Sequence, residues 1–523
     1  MPKGVVLVML CRREVLTGSA AVAVAAALAA CADDGGSVTD ASVVPSGSAS
    51  GGVTASANSD PVVLKWTWKG QALTSRVGPA VVQSGYTIVR VVVSADSDES
   101  FSLSGWLFGG GLDAYTMAAV RLLSLRDKIA FLEVGRSKEG LTADVEAGAS
   151  VELFPVFGAA PEDMKSVDLL FPNAGVALGV PVVDAGEAGF DVTAAIAGSK
   201  IDEDIHSGPF ELSSLVVAAD RSADTEKDDV STTVNVSGDV LFATDSAELT
   251  DRADELLGSV VEQLELYPSG GELAITGHTD DVADDAYNQG LSERRAKAVS
   301  DRLGELTELS AWEVSVSGKG ESEPRVANDS DENRQLNRRV EIVLTPTDPS
   351  EASATAPNAG SAGGSGDVPE PKGPVGRGPD GVDIEIDGVP ARISLDSVVR
   401  YEGYLIGTVK ISPEQEVSVP LFLLRIPDEL LYIRMWSSYA ATGFTLLKGE
   451  SRHLVVDFTD SGEDNRILAN HEMSNLVAGD TRSLPVVWPD TGEDTVIMDM
   501  IGEDDAFGQH LAVRLTDIPV VEP

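Results

Sequence analysis

Cysteine is all but absent: Cys11 and Cys31 are the only two in 523 residues, and both precede residue 32. The rest of the chain can hold neither a disulfide nor a thiolate metal site, so its fold must rest on packing. Positive charge is scarce too, with 38 Lys and Arg against 84 Asp and Glu and a formal net charge of -46. Phosphate contacts need basic stripes, which excludes nucleic acid and an anionic membrane surface as main partners. Catalytic signatures are also missing. There is no G-x-S-x-G elbow and no P-loop, and the five scattered histidines form no triad. "HEMSN" at His471 lacks a second histidine four residues on, and "GKGESE" opens no helix. Asp280, Asp281, Asp284 and Asp285 lack the spacing and glycine of a calcium loop. The expectation is a protein that is not an enzyme and carries no cofactor or metal.

Long apolar runs are lacking as well. Residues 15–30, "VLTGSAAVAVAAALAA", are interrupted by Thr17, Gly18 and Ser19. They fall short of the ~20 apolar residues that a membrane span needs. Preceded by Arg12 and Arg13, they read as a signal peptide over 1–30. "LAAC" at 28–31 resembles a bacterial lipobox, which implies diacylglycerol on Cys31 and a mature chain held at a membrane by its acyl groups. "RREVL" resembles a twin-arginine signal, although paired arginines also serve as simple positive charge, so two export routes stay open. Residues 31–60, rich in Gly, Ser, Ala, Thr and Asp, read as a lipidated flexible tether with a root-mean-square reach of ~30 Å.

A chain this long divides into several domains. Over 61–200, runs such as "VVLKWTW", "YTIVRVVVSA" and "SVDLLF" predict an antiparallel β-sandwich. Trp66 and Trp68 share one strand face, as core residues would. A second mainly β sandwich is predicted over 381–523. "SGYTIVRVVVS" parallels "EGYLIGTVKIS", "KIAFLEV" parallels "RHLVVDF", and "LGVPVVDA" parallels "LTDIPVVE", the pattern of two divergent copies. Residues 201–229 read as a linker and 347–380, rich in Gly, Ser and Pro, as a disordered one. The expected outline is three beads on a string.

The central bead, 230–346, alternates strand and helix patterns as β-α-β-α-β-β, an α/β sandwich with helices over one sheet. Within it, 291–302 gathers Arg294, Arg295, Lys297 and Arg302 just after a run of aspartates. Leu291, Arg295, Val299 and Leu303 repeat every four residues, with Leu306 continuing the stripe. Arg295 therefore turns inward, whereas Arg294 and Lys297 turn outward. An inward guanidinium needs an acceptor. Asp280, just past the strand "GELAITGH", can supply an internal salt bridge. Alternatively the two form a two-point site, a carboxylate for a ligand ammonium and an arginine fork for a ligand carboxylate.

The motifs "VLFATDSAEL", "ITGHTD", "AYNQGLSERRAKAV", "SGKGESEP" and "ENRQLNRRVEIVL" resemble, in order and spacing, the OmpA-like peptidoglycan-binding domain. The resemblance implies that Asp280 and Arg295 hold the amino and carboxylate groups of a stem-peptide residue of the diaminopimelate type. It implies that Phe242, Asn288, Leu291 and either Arg338 or Arg339 line the site. Many members carry glycine three residues after the key aspartate, where this chain has Ala283. If that position needs positive φ, alanine is disfavoured. The expected protein is a non-enzymatic envelope lipoprotein that binds peptidoglycan and tethers membrane to wall. It would sit on the outer face of the plasma membrane, or in the outer membrane of an organism that has one. The alternative is an adhesin or assembly scaffold whose sandwiches bind envelope proteins. A motor stator would keep a transmembrane helix, against which the lipobox weighs.

Overall fold

The computed structural model describes residues 54–55 and 60–523, apart from 98, 104–118, 136–142, 203–204, 352–366, 420–422, 425, 427–440, 460–464, 469–474 and 503–509. The signal peptide, Cys31 and most of the tether lie outside the described residues. Among the described residues no helix is long and apolar enough to cross a membrane.

The molecule is built from several β-rich sheets with few helices. In the first region Val62–Trp68, Gln71–Gln83 and Tyr86–Ala95 pair in succession, and the last also pairs with Ser150–Leu153 and Val156–Gly158. A second ladder runs Ile129–Phe131, Arg121–Ser124, Ser166–Phe171, Gly175–Pro181, with Thr54–Ala55 added in parallel on its edge. Side chains of both ladders, among them Leu64, Trp66, Val91, Leu122, Leu169 and Phe171, share one core. Trp66 and Trp68 are 2% and 8% exposed, in line with a core role.

The last region has the same order. Val382–Ile386 pairs with Val389–Ser394, which, like Val398–Tyr401, pairs with Tyr404–Pro413, and that strand pairs with Arg482–Pro489. Its second ladder runs Ser451–His453, Thr445–Lys448, Thr495–Ile501, Ala512–Val521, with Val375–Arg377 in parallel on its edge. Here too both ladders share one core.

Residues 201–229 are not a linker. "FELSSLVVA" forms the strand Phe210–Ala218, which turns back through Ala223–Lys227. One edge of Phe210–Ala218 pairs with the first region at Phe210 and Ala130, then with the last region at Leu212 and Phe458 and at Val216 and His453. The other edge passes through Ala223–Lys227 to the central unit. The expectation of three beads fails for the same reason, since Leu123, Leu170, Phe210, Ile406 and Phe458 share a core across the regions. Trp68 lies under the Arg482 guanidinium at 4.4 Å, and Asp480 accepts from the Lys69 amide at 2.9 Å. Part of 347–380 is likewise ordered, because backbone pairing with Ala512–Val521 holds Val375–Arg377 in place.

In the central unit the sheet order is Ala223–Lys227, Thr232–Ser237, Arg339–Pro346, Gly271–His278, Trp312–Gly320. Helices Ala253–Glu265 and Asp285–Leu306 cover one face, burying Leu256, Leu257, Val260, Val299 and Leu303 against Val234, Ile275, Val340 and Ile342. Two short helices, Gly238–Leu241 and Asp331–Asn337, add to the expected order. Glycines set how close the second helix comes. A Cβ on Gly277 would meet the Ser292 carbonyl oxygen at 2.2 Å, and one on Gly318 the Glu293 amide at 2.4 Å. Leu306 leaves the stripe at the helix end and is 37% exposed.

Candidate functional site

The site grows from the N-terminal half of Asp285–Leu306. Asp284 caps this helix by accepting from the Tyr287 amide at 3.0 Å. The cap fixes the helix phase, and Asn288, Leu291 and Arg295 fall on its buried side while Arg294 and Lys297 are exposed. Asn288 then ties the neighbouring loop down, its amide donating to the Asp280 carbonyl at 3.2 Å and to Glu321 Oε2 at 2.6 Å.

Asp280 and Arg295 form no salt bridge with each other. Asp280 Oδ2 instead accepts from Arg338 Nη1 at 2.6 Å. Arg338 also grips Asp239 through two bonds, Nε to Oδ1 at 2.7 Å and Nη2 to Oδ2 at 2.6 Å. These bonds, Asp239 first, raise the Arg338 pKa above its ordinary value. Arg295 is 4% exposed, donates from Nε to the Ser246 carbonyl at 2.9 Å, and lies 5.1 Å from the Phe242 ring centroid. Among the described residues it has no carboxylate in salt-bridge range. Burial lowers its pKa, and Asp239 opposes that only through the charge field. The result is an alternating row, Arg295, Asp239, Arg338 and Asp280, whose first cation has unused donor capacity.

Phe242, Asp280, Asn288, Leu291, Arg295 and Arg338 thus gather in one place. Arg339 does not join them. Val340, its neighbour, packs toward the helices, so strand alternation turns Arg339 to the opposite sheet face near Glu341, Asp224 and Arg325. Ala283 is not among the residues with positive φ, so its backbone carries no strain of that kind. The aspartate run divides its tasks: Asp280 holds Arg338, Asp281 pairs with Arg334 at 3.0 Å, and Asp284 caps the helix. Among the described residues no cluster of three or more metal-ligating side chains occurs. Asp239 and Ser246 escaped sequence reasoning: Asp239 lies just outside the motif "VLFATDSAEL", and Ser246, although inside it, contributes a backbone carbonyl that no side-chain pattern reveals.

A mixed sheet with two helices on one face, and an arginine set beside a carboxylate pair, defines a small α/β domain with a charged cluster at one end of its long helix. Residues 241–338 match the OmpA family model, and this stretch is an OmpA family domain. Outer membrane porin F of Pseudomonas aeruginosa is 39% identical over 115 residues, covering 22% of this chain and 33% of the relative. Outer membrane protein A of Escherichia coli O157:H7 is 38% identical over 119 residues, covering 21% and 34%. The match thus spans about a third of these relatives. Among solved structures, the cell wall anchor of the T6SS from Pseudomonas aeruginosa is 32% identical, covering 24% of this chain and 90% of that one with a TM-score of 0.22. The peptidoglycan-associated lipoprotein from Burkholderia pseudomallei is 26% identical, covering 20% and 88% with a TM-score of 0.18.

Proposed function

We propose that this chain is a non-enzymatic cell-envelope lipoprotein whose central domain binds peptidoglycan stem peptides and whose lipid anchor, at Cys31, ties membrane to wall. The observation that carries the site is Arg295, a buried cation in an OmpA family domain, set over Phe242 and, among the described residues, without a carboxylate of its own. A ligand carboxylate satisfies it. The ligand ammonium takes Asp280, for which it must compete with Arg338. Together the two charges select a zwitterionic amino-acid end of the diaminopimelate type. Weak binding of each stem peptide suffices, because an anchored domain meets many identical sites at high effective concentration.

The flanking regions serve this reading as two copies of one β-sandwich. Their ladders run in the same order, down to the short parallel strand on the edge of each second ladder. They supply the surface on which envelope proteins would dock. The test of the binding site is co-sedimentation of the full chain with purified sacculi. Asp280→Asn should lower affinity at least about tenfold, as expected for one charge-assisted bond. Asp281→Asn, in the same loop, should bind as the parent does. Equal binding by both variants would remove Asp280 from the site.

A further inference from the structure

Behind the site, on the sheet face away from the two long helices, lies a cleft of about 420 Å³. One wall is the turn from Asp220 to Asp224, which precedes the family domain, and the others come from Asn235, Ser237, Arg325, Arg339 and the helix Asp331–Asn337, with Arg338 bordering both this cleft and the Asp280 site. The cleft is therefore a product of the junction that this chain builds.

Most charges around it are already matched. Arg325 holds Asp224 through two bonds at 2.7 and 2.8 Å, Arg252 holds Asp220 at 2.9 Å, and Arg338 holds Asp239 and Asp280. Arg339 differs. It is 7% exposed, yet among the described residues its Nε and Nη1 have no partner, and Nη2 reaches Glu341 only at 3.3 Å. Its cross-strand partner Ser237 has a buried hydroxyl that is also without a partner, as is Asn235 Oδ1 two residues before it. Unmatched buried donors in a native fold call for an acceptor, and a cation or an apolar group would leave these unmet.

We propose that this cleft is a second binding site, separate from the Asp280 and Arg295 site, for a small molecule bearing a carboxylate or phosphate, with Arg339 and Ser237 as its donors. Arg339 supplies charge and two N–H groups, and Ser237 adds a hydroxyl. Asn235 Oδ1 can accept from a hydroxyl of the same ligand.

The experiment is thermal unfolding of the full chain titrated with inorganic phosphate, and separately with succinate, each at ionic strength matched with chloride. The expected result is a saturable rise in Tm with at least one of the two, and the better one names the oxyanion. Arg339→Gln should weaken that response at least about tenfold, and Ser237→Ala by less. Arg294→Gln, on the exposed side of the long helix, should keep it. Since Arg339→Gln deletes a buried cation with unmet donors, the variant should fold at least as stably as the parent in chloride. Should it fail to fold, Arg339→Lys, which keeps the charge and loses the planar donors, must show the weakened response. No rise beyond chloride, an unchanged rise in the Arg339 variants, or a rise lost only in Arg294→Gln would overturn the proposal.

Discussion

Arg295→Met separates binding from stability. The parent side chain gives one hydrogen bond to the Ser246 carbonyl and one contact to the Phe242 ring, together about 2–4 kcal/mol. Against this stands the penalty for burying a guanidinium with no carboxylate beside it, several kcal/mol, which methionine removes while filling much of the same space. The terms nearly cancel, so stability in a urea melt should change by only about 1 kcal/mol. Binding has no such compensation. A ligand carboxylate loses its fork, and affinity for sacculi in co-sedimentation should fall by at least about tenfold. Arg295→Lys, which keeps the charge without the planar donors, should lie between. A folded Arg295→Met variant with an unchanged isotherm would refute Arg295 as a ligand group. A stability loss above about 3 kcal/mol would refute the balance of terms and make Arg295 a packing residue.

Acid should weaken the fold through two imidazoles. Burial lowers the pKa of His278 to about 4 and of His453 to about 3. Both lie below the ~6.5 of the exposed side chain. Their contribution is complete above pH ~6.5 and drains away as pH falls toward the folded values, because the unfolded chain takes up protons that the native fold refuses. His278→Gln should flatten the acid limb of a pH–stability curve by on the order of 3 kcal/mol, and an unchanged limb would contradict it. Phe210 is 5% exposed and its ring lies 5.5 Å from that of Phe458. Phe210→Ala should cost about 3–5 kcal/mol, with hydrogen-exchange protection lost together at 129–131 and 451–453. Loss confined to one of these segments would show that the regions unfold separately.

Local periodicity carried the interior of the central domain. Leu291, Arg295, Val299 and Leu303 are buried and Arg294 and Lys297 exposed, because helix phase is written in a four-residue repeat. The partner of each charge was not legible. Arg338 meets Asp280 across 58 residues and Asp239 across 99, distances over which no short-range pattern acts. For the same reason Arg338 and Arg339 could not be told apart until the strand that begins at Arg339 turned that side chain away from the long helices, while Arg338 stayed at the end of the short helix beside Asp280. Residues 210–218 read as part of a linker because the strands that bury them lie mostly far off in sequence. Their partners lie at 129–131, 223–227 and 451–459.

Phe210–Ala218 also has a mechanical meaning. On the proposed function, the protein is held between membrane and wall and pulled from two directions. Domains on slack connectors would answer by swivelling and paying out chain. Here three segments distant in sequence are laced to one strand, so a tug on the central domain crosses a hydrogen-bonded ladder into both β regions before any connector can straighten. The spacing held between the two surfaces would then be set by the width of a stiff body.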